Sequence, residues 1–248
     1  MKNQKTLLIF INGLPETLKK YYMAFDTKTF KTRTLTAIIF AAVMLMGLLL
    51  NQWSFIILFT IIHFGCWYEF IKLQKGIDPL NFKSKSSLGL LYITLPIVLM
   101  ICIRTWYFDG INDNYLKIIP CGIIFSIWIN DTMAYVVGSF IGKTPLSKIS
   151  PKKTWEGTLG GIILCIAIIS LLGYATGFYS IRDWIVVSAC CGVFGTFGDL
   201  LESKIKRMAQ VKDSGNLMPG HGGFLDRFDS MLIAIPFVAI YYFLFINL

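Results

Sequence analysis

Between Gly198 and Ser230 the chain reads GDLLESKIKRMAQVKDSGNLMPGHGGFLDRFDS, which sets five carboxylates (Asp199, Glu202, Asp213, Asp226, Asp229) among five bases (Lys204, Lys206, Arg207, Lys212, Arg227). Clustered carboxylates repel one another unless a cation neutralises them, and hard oxygen donors suit magnesium, which takes one or two carboxylates together with substrate phosphates. The neighbouring lysines and arginines are what a polyphosphate needs for its remaining charge. Pro219-Gly220-His221-Gly222-Gly223 lies between them, and its glycines permit positive φ and close approach of backbone N–H groups to an anion. These residue types together describe metal-assisted phosphoryl or nucleotidyl transfer. Spacing alone does not choose which carboxylates would hold the metal.

Two further places carry polar chemistry. Asn130 and Asp131 fall in the middle of an apolar run over 118–141. A carboxylate at mid-bilayer costs roughly 2.5–3.5 kcal/mol on insertion scales, so Asp131 should face the protein interior or water. The following loop, GKTPLSKISPKKTWE over 142–156, offers Lys143, Lys148, Lys152 and Lys153 to phosphates or anionic headgroups. Gly138-Ser-Phe-Ile-Gly142-Lys143-Thr144 resembles a phosphate-binding P-loop but has three residues between its glycines instead of four, and no strand precedes it. Gly138 and Gly142 therefore read as a helix-packing pair.

The elements that must position these residues are membrane helices. The 248 residues are 55% hydrophobic and 15% charged, against about 25% charged for a soluble domain, and the mean hydropathy is +0.65. The fold class expected is all-α: a polytopic helical bundle of about seven spans, near Thr36–Leu50, Trp53–Ile71, Ser87–Phe108, Ile118–Ile141, Gly157–Phe178, from Trp184, and Met231–Asn247. Pro96 should kink the third. If the sixth helix continues past Gly198, then Asp199, Glu202, Ser203 and Lys206 share one face at i, i+3, i+4 and i+7. Three units are expected: a basic amphipathic segment over 1–35, scaffold helices over 36–117, and a catalytic membrane domain over 118–248.

Charge distribution excludes the obvious alternative for a net charge of +9, nucleic-acid binding. Twenty of the 23 Lys and Arg fall in the N-terminal segment and in alternate loops, and only Arg104, Lys117 and Arg182 lie on the other side. That bias places the N-terminus and the polar stretch in the cytoplasm, as in a bacterial inner membrane. The six cysteines lie in apolar runs without CxxC spacing and read as small buried hydrophobes. His63 has no partner at metal spacing and reads as a packed histidine.

The stretch also resembles the signature of the phosphatidate cytidylyltransferases, or CDP-diacylglycerol synthases, carried by Ser203, Ile205, Lys206, Arg207, Lys212, Asp213, Pro219, His221, Gly222, Gly223, Asp226, Arg227 and Asp229. The segments 130–143 and 150–157 are similar to that family too, so the resemblance covers about the C-terminal half. It implies the reaction of CTP with phosphatidate to give CDP-diacylglycerol and pyrophosphate, with Mg²⁺ and room for a second cation, at the cytoplasmic face. By the same resemblance Asp199 and Asp226 would ligate the metal. Asp213 and Asp229 would support catalysis, and Lys206, Arg207, Lys212 and Arg227 would hold phosphates. Asn130, Asp131, Lys143, Lys152, Lys153, Ser203, His221, Gly222 and Gly223 complete the expected substrate site. The expected partners are CTP, phosphatidate and the bilayer, with a homodimer as an option for assembly. A polyprenol kinase would use a similar site but transfer the γ-phosphoryl group; an ion-coupled transporter is the non-enzymatic alternative, and the chain shows no internal repeat to support it.

Overall fold

The computed structural model describes residues 27–106, 113–216 and 222–246. Most of the expected 1–35 surface segment, and Pro219 to His221, lie outside those residues. The helices are α1 (Thr27–Leu49), α2 (Gln52–Ile77), a short α3 (Phe82–Ser86), α4 (Leu95–Thr105), α5 (Asp113–Ile141), α6 (Trp155–Thr176), α7 (Ile181–Met208) and α8 (Leu225–Tyr241). No strand occurs among the described residues. Six helical stretches are long and apolar enough to span a bilayer, with α3 and α4 joined as one over Phe82–Thr105; the first expected span is the shorter apolar part of α1, Thr34–Leu49.

Local signals fix the ends. Asn51 caps α2 and exchanges hydrogen bonds with Ser54, which makes the two-residue turn after α1 sufficient. A π-helical turn over Leu90–Thr94 runs directly into Pro96, at the start of α4. Proline has no N–H to give to a helical ladder, and the wide turn before it accommodates the missing bond. Thr154 caps α6, which closes on Gly177 in the left-handed region at φ 69°. Ser180 and Asp183 form the capping box of α7. In the turn after α2, Asp78 accepts from Lys85 and from Asn81 and Leu80, and these bonds, with the Lys85 ammonium foremost, hold its carboxyl down at about 2.

Several boundaries differ from the sequence expectation, and three of them bear on the polar residues. Helix α5 begins at Asp113 instead of Ile118, because Asp113 takes both the fully buried Arg104 at 2.7 Å and Lys117 at 2.6 Å. Helix α7 begins at Ile181 and does continue through Gly198 to Met208. Helix α8 begins at Leu225 instead of Met231, so Asp226, Arg227 and Asp229 stand in its first two turns instead of in a loop.

Helices α5, α6, α7 and α8 form the tightest part of the bundle, with α4 against α8 and the α1–α2 hairpin alongside. Glycine lets the backbones meet. A Cβ on Gly157 would lie 2.9 Å from the Gly138 Cα and 2.8 Å from the Ala134 carbonyl, so Gly138 packs on α6, whereas Gly142 lies just past α5 and faces Thr154. Phe194 and Phe237 stack at 3.5 Å between α7 and α8. All six cysteines are free thiols, and His63 Nε2 lies 3.0 Å from the Thr94 hydroxyl, in agreement with a packed histidine.

Candidate functional site

A cavity of about 440 Å³ opens between α5, α6, α7 and the 142–154 loop. Asn130, Asp131, Tyr135, Ser139, Ser150, Lys152, Lys153, Thr158, Thr196 and Asp199 supply its polar lining. The loop is shaped by one carboxylate. Glu156, in the first turn of α6, accepts from the Lys143 and Thr144 amides and from the Thr144 hydroxyl at 2.8 Å. Backbone bonds from Leu146 to Lys153 and from Trp155 to Thr144 then close it into a hairpin. This fold turns Lys152 and Lys153 toward the cavity. Lys153 pairs with Asp199 across it.

One turn further along α7 the environment changes. Glu202 is fully buried, pairs with Lys206 on the same face, and its Oε1 has no hydrogen-bond partner among the described residues. Lys206 reaches across to Asp226 Oδ1 at 2.6 Å. Asp226 Oδ2 accepts from the Ser214 amide (2.9 Å) and the Gly223 amide (2.8 Å) and lies 2.9 Å from the Ser214 hydroxyl. Asp229, one turn on, is buried where α8 crosses Gly198, and the negative charges of Asp199, Glu202 and Asp131 all act on it. Five carboxylates, Asp131, Asp199, Glu202, Asp226 and Asp229, thus crowd a space in which Lys153 and Lys206 form ion pairs.

The structure brings together Asn130, Asp131, Lys152, Lys153 and Asp199 around the cavity, and Lys206, Asp226, Gly222 and Gly223 in the neighbouring knot. Gly222 has φ 85°, as a tight anion-binding turn requires, but the anion that the Gly223 amide holds here is Asp226. Lys143, Arg207, Lys212 and Asp213 are exposed and do not line the cavity; among the described residues Arg207 reaches the Val211 carbonyl, at 3.4 Å. Ser203 is half-buried on α7, and the charge of the exposed Arg227 acts on Asp131. His221 lies outside the described residues. Sequence reasoning under-weighted Glu202, although the i, i+3 stripe contains it. Glu69 and Ser214 are not among the residues that the sequence points to: for Glu69 the signal is a glutamate toward the end of an apolar span, and for Ser214 there is none.

Among the described residues no three His, Cys, Asp or Glu side chains are preassembled as a metal cage. The donor chemistry still fits a hard divalent cation: every candidate ligand is a carboxylate oxygen, Asp199 Oδ2 and Glu202 Oε2 each meet a lysine ammonium that a cation could displace, and Glu202 Oε1 is buried with no hydrogen-bond partner among the described residues. Asp199 is the readier ligand, because Asp226 already accepts three hydrogen bonds, from Lys206 and the Ser214 and Gly223 amides.

The fold and site together define a polytopic helical membrane protein with lysines and carboxylates gathered at one end of its bundle. The chain belongs to the cytidylyltransferase family, whose pattern matches residues 81–245. It is 32% identical over 250 residues to the phosphatidate cytidylyltransferase of Bacillus subtilis, a match covering 93% of this chain and 90% of that protein. It is 52% identical over 133 residues to the chloroplastic phosphatidate cytidylyltransferase 4 of Arabidopsis thaliana, covering 52% of this chain and 34% of that one. For the chloroplastic phosphatidate cytidylyltransferase 5 of the same plant the figures are 50% over 113 residues, 45% and 27%. Against the two plant relatives the chain spans about a third of their length or less.

Proposed function

We propose that this membrane protein is a phosphatidate cytidylyltransferase, converting CTP and phosphatidate to CDP-diacylglycerol and pyrophosphate. The observation that carries the reading is the cavity walled by Lys152, Lys153, Asp131 and Asp199, backed by the buried Glu202–Lys206–Asp226 ion triad. A phosphate oxygen of phosphatidate attacks the α-phosphorus of CTP; that P–O bond forms as the bond to the β-phosphate's bridging oxygen breaks, and pyrophosphate leaves. Phosphatidate is already anionic, so no side chain has to remove a proton. Lys152 and Lys153 hold the triphosphate, and their charge offsets what develops on the departing oxygens. Asp199 and Asp226 would hold Mg²⁺, with Glu202 between them, and the ion's charge would neutralise the polyphosphate. Asp131 stands at the cavity wall where a lipid headgroup would approach. The Lys and Arg distribution supports a cytoplasmic site and N-terminus.

The test is product analysis with purified protein, CTP and phosphatidate. Pyrophosphate and CDP-diacylglycerol are expected, lost on chelation and restored by Mg²⁺; release of CDP would replace this reading with a kinase.

A further inference from the structure

The residue that fixes the geometry of this site stands in the N-terminal half, outside the matched 81–245 segment. Glu69, on α2, is buried. Its Oε1 accepts from the Phe224 amide at 2.9 Å, and its Oε2 accepts from the Leu225 amide at 2.9 Å and from the Ser214 hydroxyl at 2.7 Å. The two amides are the first donors of α8, which no neighbouring side chain caps. Glu69 supplies that cap from 155 residues away, and its charge opposes the positive end of the helix. Ser214 then links it to the chemistry, since the same hydroxyl lies 2.9 Å from Asp226 Oδ2. A Cβ on either Gly215 or Gly223 would collide with the Glu69 carboxylate, so both flanks of the loop close directly on it.

We propose that Glu69 is a positioning residue for cytidylyl transfer: one carboxylate clasps Ser214 and the start of α8, and so holds Asp226 against Lys206. This rests on the transfer reaction proposed above. A scaffold-only role would require that loosening the clasp change stability and leave the chemistry per folded molecule intact. A positioning role requires that Asp226 and Lys206 lose their alignment, which lowers kcat while the triphosphate, held by the separate 142–154 loop, still binds.

Glu69→Gln is the informative change, because it keeps the size but sets an amide NH₂ against backbone donors. In full-length purified protein, kcat should fall about 10–100-fold, the range for losing a hydrogen bond to a charged group, with KM for CTP within about threefold of wild type on the same scale of argument. Hydrogen exchange in the peptide over 222–230 should accelerate about tenfold or more while α5 and α6 peptides stay unchanged. Ser214→Ala keeps the two amide bonds of the cap and removes the hydroxyl that joins Glu69 to Asp226; it should lower kcat, and adding Glu69→Gln should cost less than the product of the two. Wild-type kcat in Ser214→Ala, or unchanged kcat per folded molecule in Glu69→Gln, overturns the proposal. If Glu69→Gln does not fold, Ser214→Ala decides. Wild-type protein that releases no pyrophosphate fails the transfer reading instead, and the exchange measurement then reports on the clasp independently.

Discussion

The two halves of the site are built on opposite plans. Around the cavity, Asp199 has one ion pair, with Lys153, and Asp131 faces open space, so the acids are held by helix position more than by bonds. Around α8, Asp226 accepts three hydrogen bonds, from Lys206 and two backbone amides, and Glu69 three, with the Ser214 hydroxyl lying between the two carboxylates. Unsatisfied donors and acceptors cost most where they are buried. The sparse half is therefore the one prepared to exchange partners with a ligand, and the saturated half is the one that holds still.

Substitutions can break this comparison. Asp199→Ala should remove about 10³-fold of kcat/KM, the scale of a lost electrostatic contact to the reacting phosphates. Its Tm should stay within about 2 °C of wild type, since a lone, partly exposed ion pair contributes little; thermal unfolding of the purified variant checks this. Asp226→Asn should cost about 10²-fold in turnover and also lower Tm by roughly 4–8 °C, because it weakens the Lys206 pair and turns an NH₂ toward the Ser214 and Gly223 donors. Equal Tm losses in the two variants would dissolve the distinction between the halves. The smallest effect is expected for Lys153→Ala, with KM for CTP up about tenfold, kcat down only about threefold because Lys152 still faces the departing oxygens, and a penalty that shrinks as ionic strength rises.

Much of this was legible in the residues themselves. Charge in alternate loops and the length of the apolar runs depend on local composition, and they locate the helices and the polar end of the bundle. The stripe Asp199, Glu202, Lys206 follows from helical spacing alone, and Gly138 packs on α6 because small side chains at that spacing allow it. What was not legible is non-local. Helix α8 starts six residues earlier than hydropathy suggests because its first amides find Glu69 on another helix. The same contact makes Glu69 part of the site, and no window of sequence around Glu69 contains its partners. The 142–156 lysines look alike in sequence; only the Glu156 clamp separates Lys152 and Lys153 from the outward Lys143.

The crossing of α7 and α8 falls at Gly198, whose missing side chain lets it rest on the main chain of Asp229 and Ser230. Membranes change thickness with lipid composition, and spanning helices answer by tilting. Rotation about a fixed contact moves the far ends most and the contact least. The acids of this chain sit beside that node, so the bilayer can flex the two helices as levers while the distance between their reacting faces is conserved.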